Sequence, residues 1–151
     1  MSGPPGRTHD SSRRRVLILC TGNSCRSQMA EALWRHEAGS RWEVLSAGTA
    51  PKPVHPMTLQ VLQEIGVDTS GLRSKHLSEV DATRLDLLVT VCDQARENCP
   101  VLPGIGAQRH WSLEDPAAAQ GTEEERLAVF RRIRDQIHRY VREFLASSAG
   151  Q

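Results

Sequence analysis

The sequence predicts a single α/β domain in which a four-stranded parallel sheet is flanked by helices on both faces. The first observation behind this prediction is the alternation of short apolar runs with segments of helical periodicity, a pattern typical of strands joined by crossover helices. The second is the length of 151 residues with 38% hydrophobic and 25% charged residues, which fits one globular domain. We place this domain at residues 15–147, after a disordered tail at 1–14.

Four segments have the composition of strands. The apolar run at 16–19 suits a strand that is buried on both faces. The second strand is predicted over WEVLSAG at 42–48 and the third over DLLVTV at 86–91. A shorter fourth strand is predicted over QRHWSL at 108–113. Because these strands alternate with helices, we expect them to run parallel.

Three helices accompany these strands. The first is predicted over about 27–38, where apolar residues recur at helical spacing until Gly39. The second follows the proline-rich loop at 50–56 and ends before Gly66. The last has the clearest periodicity, because its apolar residues form one stripe with arginines on the opposite face. This stripe consists of Leu127, Phe130, Ile133, Ile137, Tyr140 or Val141, and Phe144.

The composition excludes several classes of function. A formal net charge of +1 gives no overall field that would attract nucleic acid or a membrane surface, and the arginine run at 13–15 is predicted to be a solvated, tag-like segment. No apolar stretch is long enough for a signal peptide or a membrane span. We therefore expect a cytoplasmic protein with reduced thiols, whose four cysteines indicate catalysis, redox chemistry or metal binding more than structural disulfides.

The segment CTGNSCRS, at 20–27, has the features of a loop that binds an oxyanion around a nucleophile. It follows a buried strand and opens a helix, so its backbone N–H groups and the helix N-terminus face one ligand. Gly22 permits unusual backbone angles, Arg26 has the geometry to hold two oxygens of a tetrahedral anion, and the same field favours the thiolate of Cys20. The alternative is a buried cysteine before an ordinary turn, which this combination disfavours. The predicted oxyanion-binding residues are Thr21, Gly22, Asn23, Ser24, Cys25, Arg26 and Ser27.

Three chemically reactive residues, Cys20, Cys92 and Asp115, follow different predicted strands. The carboxyl ends of parallel strands meet at one edge of the sheet, where α/β proteins bind ligands, so we expect these residues to lie together. Asp115 precedes Pro116, and a carboxylic acid that faces Cys20 would protonate a leaving oxygen. The alternative role for Asp115 is a helix cap or a turn, which is common in Asp-Pro pairs. The loop with Cys20 favours the acid.

Cys92 and Cys99 are separated by six residues in VTVCDQARENCPVLPG. No matching cysteine or histidine cluster surrounds them, so no metal site is predicted. In one interpretation Cys92 packs in the core and Cys99 has no role. In the other, both pass oxidising equivalents from Cys20 to an external reductant by thiol–disulfide exchange. A phosphatase needs only Cys20, whereas a reductase must dispose of two oxidising equivalents, so the pair favours a reductase.

Four segments together resemble the thioredoxin-coupled arsenate reductases, which share the fold of the low-molecular-weight protein tyrosine phosphatases. The segments are CTGNSCRSQMAE, SAGT, VTVCDQARENCPVLPG and HWSLEDPA, and the resemblance extends from Val16 to about Leu145. The Cys92/Cys99 pair indicates the reductase branch. Phosphatases of this fold often carry tyrosines just after the Asp-Pro pair, whereas this sequence has Ala-Ala-Ala at 117–119.

The resemblance implies an enzyme of arsenic detoxification that reduces arsenate to arsenite. Arsenate would bind in the loop against Arg26, Cys20 would attack arsenic, and Asp115 would assist the loss of water or hydroxide. Cys92 would then attack Cys20 and release arsenite, after which Cys99 would attack Cys92. Thioredoxin would reduce the resulting disulfide, so no metal, flavin or nicotinamide is needed on this chain.

The resemblance also gives supporting roles to residues around the nucleophile. Ser27 would hydrogen-bond Cys20 and favour its thiolate, and Asn23 would hold the shape of the loop. Cys25 would pack close by without an essential redox role, although oxidation would be open to it.

Some members of this family bind a potassium ion near the loop. Asn23 and Ser46 match that site and would form a weak cation site. In GLRSKHLSEV, however, Arg73 and Lys75 stand where a carboxylate is expected. We therefore expect no potassium requirement and hypothesise that the Lys75 ammonium replaces the ion.

Two functional hypotheses follow from the sequence. The first is a thioredoxin-dependent arsenate reductase, for which a mycothiol- or glutathione-linked system is the alternative reductant. The second is a low-molecular-weight protein tyrosine phosphatase whose extra cysteines protect or regulate the nucleophile. A noncatalytic anion-binding or redox-sensing module is disfavoured, because Cys20, Arg26 and Asp115 are all present. We expect a monomer, because no long apolar stripe is left unexplained.

Overall fold

The structure is a computed structural model that describes residues 13–93, 105 and 107–151. Its strands are β1 (Arg14–Cys20), β2 (Trp42–Gly48), β3 (Leu87–Cys92) and β4 (Gln108–Ser112). Its α-helices are α1 (Arg26–Ala38), α2 (Pro56–Gln63) and α3 (Glu123–Ala146). Short 3-10 helices lie at Gly39–Arg41, Leu77–Glu79, Pro116–Ala118 and Ser148–Gly150.

The four strands form one parallel sheet in the order β2-β1-β3-β4, which confirms the predicted sheet. In this register Cys20 pairs with Gly48 across β1 and β2, and Cys92 pairs with Ser112 across β3 and β4. The carboxyl ends of all four strands therefore meet at one edge. This edge is where the predicted reactive residues follow their strands.

The three α-helices pack on one face of the sheet, over the main hydrophobic core, so the described residues place no α-helix on the second face, where helices were also predicted. The predicted stripe of α3 is buried in this core. The opposite face carries a smaller core, and among the described residues the short helix Leu77–Glu79 and the side chains of Val80 and Ile105 cover it. Strand β1 contributes alternate residues to both cores, which explains its continuous apolar sequence. The residues of the smaller core are Leu17, Leu19, Ala47 and Leu88.

The ends of the α-helices follow from local sequence. Helix α3 begins after Thr122, whose hydroxyl accepts the Glu125 N–H at 3.1 Å while the Glu125 carboxylate accepts the Thr122 N–H at 2.9 Å. Helix α1 ends where Gly39 adopts a φ of 59°, which suits a residue without a Cβ. Helix α2 begins with Pro56 after His55, whose side chain accepts the Met57 N–H.

The N-terminal arginine run is part of the fold, so the prediction of a solvated, tag-like segment at 13–15 is wrong. Arg15 is 7% exposed, lies 3.4 Å from the Glu43 carboxylate, and donates its backbone N–H to Asp86 at 2.8 Å. The Arg14 guanidinium lies 4.5 Å from the centre of the Trp42 ring. Arginine stems pack against apolar surface while their charged ends find acceptors, which a count of charges along the sequence does not reveal.

The predicted domain boundary at residue 15 falls inside β1, which begins at Arg14. Residues 1–12 of the predicted tail lie outside the described residues. At the other end, α3 stops at Ala146, one residue before the predicted end of the domain. None of the helices in the described part of the chain combines the length and the apolar character that crossing a bilayer requires.

Candidate active site

The loop between β1 and α1 turns its carbonyl groups outward. Four of these carbonyls accept backbone N–H groups from the neighbouring loop at 49–55, at 2.8–3.3 Å, and the Asn23 carbonyl accepts the Gln28 side chain at 2.9 Å. Within the described residues, the N–H groups of Gly22, Ser24 and Cys25 are bonded to no acceptor. Inward N–H groups of this kind form an anion-binding nest. The four carbonyls are those of Cys20, Thr21, Gly22 and Ser24.

Asn23 fixes the shape of the loop through both ends of its side-chain amide. Its φ of 49° is in the left-handed region, where Asn is one of the few residues tolerated. The side-chain nitrogen donates to Ser27 Oγ at 2.8 Å and to Ser46 Oγ at 3.0 Å. The side-chain oxygen accepts the Lys75 N–H at 2.9 Å. These three bonds hold the residue in a conformation that would otherwise be unfavourable.

Gly48, the last residue of β2, allows the loop to approach the sheet. A Cβ at this position would lie 2.5 Å from the Thr21 carbonyl oxygen and 3.0 Å from the Asn23 nitrogen. Any side chain would therefore displace the loop backbone. Gly48 is not among the predicted site residues, although the SAGT segment that contains it is part of the resemblance.

Cys20 carries a free thiol that is 2% exposed and has two hydrogen-bond partners. The Asn23 backbone N–H donates to Sγ at 3.1 Å, and Ser27 Oγ lies 2.9 Å from Sγ. Because the Asn23 amide already donates to Ser27 Oγ, the Ser27 hydroxyl proton is available to the sulfur. Donors to sulfur stabilise the thiolate more than the thiol. The arrangement therefore suits Cys20 to act as a nucleophile.

Arg26 and Asp115 come to the same cavity as Cys20. Arg26 is 4% exposed, and its guanidinium donates to the Leu113 carbonyl at 2.9 Å, which ties α1 to the segment after β4. Asp115 accepts the Ala117 N–H at 3.0 Å through Oδ1, so it caps the short helix Pro116–Ala118. The capping role considered from the sequence is therefore real. The same residue lines the cavity, where its carboxyl group is also suited to proton transfer.

The loop encloses a cavity of about 260 Å³, several times the roughly 30 Å³ that a water molecule occupies in the liquid. The cavity therefore has room for a tetrahedral oxyanion. Of the predicted oxyanion-binding residues, Thr21–Arg26 line it, whereas Ser27 lies behind Cys20 and contacts its sulfur. Lys52 also lines the cavity, and the sequence analysis did not identify it. A second cavity, of about 490 Å³, is also lined by Asp115.

A buried hydrogen-bond chain leads from the loop to Glu31. Ser46 Oγ accepts from the Asn23 side chain and donates to Glu31 Oε1 at 2.5 Å. Glu31 is 2% exposed and pairs with Arg35 and with Lys75, whose Nζ lies 4.0 Å from Oε1. Burial lowers the pKa of Lys75, and the Glu31 carboxylate opposes this shift. Glu31 is not among the predicted site residues, because a glutamate in a helix is usually exposed.

In the predicted weak cation site, Asn23 with Ser46, both side-chain oxygens are hydrogen-bonded to protein groups. The Asn23 side-chain oxygen is engaged by the Lys75 N–H, and Ser46 Oγ by two partners. The Lys75 side chain, 12% exposed, already brings positive charge to Glu31 beside this site. Over residues 13–93, 105 and 107–151, no group of three or more His, Cys, Asp or Glu side chains is arranged to hold a metal.

The remaining cysteines differ in their state. Cys25 is a free thiol that is 4% exposed, and burial raises its pKa to about 11, so it stays protonated at neutral pH. Cys92 ends β3, is fully buried, and is disulfide-bonded. Its partner is neither Cys20 nor Cys25, because both are free. Cys99 lies outside the described residues, so its role in the relay stays a prediction.

Comparison with known proteins defines the class to which this fold and site belong. Residues 15–150 match the low molecular weight phosphotyrosine protein phosphatase family, and the chain belongs to that family. The arsenate reductase of Halalkalibacterium halodurans is 41% identical over 133 residues, which cover 88% of this chain and 96% of that protein. The arsenate reductase of Bacillus subtilis is 42% identical over 129 residues, or 85% and 93% of the two chains. The resemblance to arsenate reductases is thereby confirmed.

Solved structures agree with this assignment. An arsenate reductase from Archaeoglobus fulgidus superposes with a TM-score of 0.73 at 31% identity, over 87% of this chain and 99% of that one. A thioredoxin-dependent arsenate reductase from Corynebacterium glutamicum gives 0.69 at 31% identity, over 90% and 62% of the two chains. A low molecular weight protein tyrosine phosphatase from T. tengcongensis gives 0.66 at 26% identity, over 87% and 97%. The predicted phosphatase-like fold is confirmed.

Proposed function

We propose that this protein is an arsenate reductase with Cys20 as the nucleophile and thioredoxin as the final reductant. The proposal depends on two cysteines in different states at one edge of the sheet. Cys20 ends β1 as a free thiol, and Cys92 ends the adjacent strand β3 in a disulfide. Relatives that are 41% and 42% identical are arsenate reductases, which supports arsenate as the oxyanion.

In the binding step, the loop receives arsenate as a tetrahedral anion. The inward N–H groups of Gly22, Ser24 and Cys25 bind its oxygens. The Arg26 guanidinium, at the start of α1, binds oxygens of the arsenate and balances part of its negative charge. These contacts hold arsenic in front of Cys20 Sγ, which is the geometry that a displacement at arsenic requires.

In the first chemical step, the Cys20 thiolate attacks arsenic. An S–As bond forms while one As–O bond breaks, and Asp115 supplies the proton with which the departing oxygen leaves as water. Arsenic remains As(V) in this covalent adduct. No electrons have moved between arsenic and the protein at this stage.

Two thiol exchanges follow. The Cys92 thiolate attacks Cys20 Sγ, the electron pair of the S–As bond stays on arsenic, and arsenite leaves as As(III) while a Cys20–Cys92 disulfide forms. The Cys99 thiolate then attacks Cys92 Sγ and releases Cys20 as a thiolate. A disulfide at Cys92 with a free Cys20 is the state expected after this second exchange.

Thioredoxin would complete the cycle by supplying two electrons from its dithiol to the Cys92–Cys99 disulfide. The Corynebacterium glutamicum relative is described as thioredoxin-dependent, which supports this choice. A mycothiol- or glutathione-linked system is the alternative. The reaction would occur in the cytoplasm, where such systems keep thiols reduced. A monomer is expected, since Ile65 is the one large apolar side chain exposed among the described residues.

The Lys75 ammonium would take the electrostatic role of a bound cation beside Glu31. The 4.0 Å separation from Glu31 and the engaged oxygens of Asn23 and Ser46 support this assignment. Turnover should then be equal in potassium and in sodium salts at the same ionic strength. A strong increase with potassium alone would contradict the assignment.

A phosphotyrosine phosphatase is the second candidate function. The second cavity, beside Asp115, supports it, because an aryl group attached to a phosphate in the loop would have room there. In this case Cys20 would form a thiophosphate that water hydrolyses. Cys92 and Cys99 would then protect or regulate the nucleophile.

One comparison separates these functions. We would measure arsenite formation and 4-nitrophenyl phosphate hydrolysis by the wild type, by Cys20→Ser and by Cys92→Ser, with thioredoxin, thioredoxin reductase and NADPH present. A reductase forms arsenite catalytically only in the wild type. Phosphate ester hydrolysis that survives Cys92→Ser, without arsenite formation in the wild type, would show a phosphatase.

A further inference from the structure

We propose that Lys52 is an anion-binding residue at the mouth of the Cys20 cavity, where it attracts the incoming dianion and holds its outer oxygens. The inference rests on the proposed function, because it concerns the same cavity and the same oxyanion. Lys52 lines this cavity together with Cys20, Arg26 and Asp115. Arg26 is buried at the base of α1, whereas Lys52 is exposed, so the two cations differ in their access to solvent.

The backbone of Lys52 is held against the loop between β1 and α1, which is called the anion loop below. Its N–H donates to the Gly22 carbonyl at 2.8 Å, and the next carbonyl, that of Pro53, accepts from Ser24 Oγ at 2.8 Å. Pro51 and Pro53 flank the residue, and each has a restricted φ. The position of the Lys52 Cα relative to the loop is therefore fixed, while the four-carbon side chain keeps the freedom to meet an anion.

The charges that line the cavity favour a second cation. In the proposed mechanism Cys20 reacts as a thiolate and Asp115 acts as an acid, so Arg26 alone only balances the charge of Cys20. A doubly charged oxyanion then gains no net attraction from the charged side chains of the site. Lys52 adds one positive charge to this set, and the N–H groups of the loop favour the anion further.

Lys52 has no competing partner in the described part of the chain. No carboxylate there lies within ion-pair distance of its ammonium. Lysine is also rare in this protein, which has 17 arginines but only two lysines, Lys52 and Lys75. A compact ammonium on a flexible stem acts as a point charge and imposes no fixed geometry. This suits a group that meets an anion on entry and releases the product.

The test is calorimetric binding of inorganic phosphate, an anion that this chain has no means to reduce. Lys52→Gln should weaken binding about tenfold, as expected for the loss of one charge-assisted hydrogen bond. Lys52→Arg should retain most of the affinity. Arg139→Gln removes the same charge from an exposed position on α3 and should leave binding unchanged. In turnover assays, Lys52→Gln should raise the KM for arsenate with little change in kcat.

A footprint of lysine acylation gives a second readout. Phosphate should protect Lys52 from acylation in the wild type, while the mostly buried Lys75 serves as an internal control. Equal phosphate affinity of the wild type and Lys52→Gln would overturn the role of Lys52 but leave the proposed function intact. Acylation of Lys52 that phosphate does not slow would have the same meaning. Failure of the wild type to bind phosphate or arsenate at all would instead overturn the proposed function.

Discussion

Gly48 lies directly against the carbonyl of Thr21, so close that a Cβ on Gly48 would be 2.5 Å from the Thr21 oxygen. This contact sets the path of the anion loop over the end of β2. The Thr21 carbonyl also accepts the Ala50 N–H at 2.9 Å. The end of β2 thus contacts the loop directly, while N–H groups of the segment at 49–55 hold the carbonyl groups of the loop outward.

Gly48→Ala should therefore disrupt the anion site more than it disrupts the fold. We expect phosphate or arsenate affinity to fall by at least about tenfold, since the loop N–H groups must move, and stability to fall by about 1–3 kcal/mol, as for other overpacked sites. Gly71→Ala is the matched control, because a Cβ on Gly71 meets nothing within 4 Å. Wild-type affinity in Gly48→Ala would show that the loop adjusts without loss.

Ser27→Ala should slow the alkylation of Cys20 by iodoacetamide at neutral pH. The expected decrease is about tenfold, because a hydrogen bond to a charged group contributes about 1.5 kcal/mol. Mass spectrometry of the Cys20 peptide gives the rate, and Cys25 does not interfere because burial raises its pKa to about 11. Ser112→Ala, at an exposed position of β4, is the control. An unchanged rate would mean that Ser27 does not donate to the sulfur.

Glu31→Gln should destabilise the protein by about 3 kcal/mol, measured by chemical denaturation. The variant removes the charge that faces Lys75 and Arg35, and an unpaired buried charge is costly. Adding Lys75→Met should recover part of this loss, because the two residues interact directly. Glu79→Gln, in an exposed pair with Arg73, should cost much less, because solvent screens an exposed ion pair. Equal effects of both glutamine substitutions would contradict the buried network.

His55 predicts a pH dependence of stability. Burial, and then the charge of Arg126, lower the pKa of His55 below its ordinary value of 6.5, while Asp115 opposes the shift. Folding therefore favours the neutral ring, so this contribution to stability is present above pH 6.5 and is lost as the pH falls toward the folded-state pKa.

The matched variant is His55→Asn, because asparagine still caps α2 but does not titrate. As the pH falls from about 7.5 to about 5.5, the free energy of unfolding should decrease more in the wild type than in the variant. A difference that is constant over this range would show that His55 has the same pKa in the folded and unfolded states.

The site residues that could be predicted are those whose role follows from one short segment of sequence or from the direction of the strands. Cys20 and Arg26 belong to one short segment, and their position after an apolar run was enough to place them at the sheet edge. The carboxyl ends of parallel strands then brought Asp115 to the same cavity. These residues were predictable because strand polarity and residue type together determine their place.

Sequence reasoning missed residues whose role depends on contacts between distant segments. Lys52 lies in a proline-rich loop with no catalytic pattern, and only its bond to the Gly22 carbonyl reveals that it borders the cavity. Glu31 looks like any helical glutamate until Ser46 and Lys75 pack against it. Arg15 was expected to be solvated, yet it is buried at the edge of the core.

The most direct test of the three-cysteine relay is a single turnover without added reductant. The protein is reduced with dithiothreitol, freed of it and mixed with arsenate, and then arsenite and disulfide-linked peptides are quantified in the wild type and Cys99→Ser. If the relay operates, both proteins form about one arsenite per protein, with a Cys92–Cys99 disulfide in the wild type and a trapped Cys20–Cys92 disulfide in the variant. Arsenite formation without a Cys20–Cys92 disulfide in Cys99→Ser, or no arsenite in either protein, would contradict the relay.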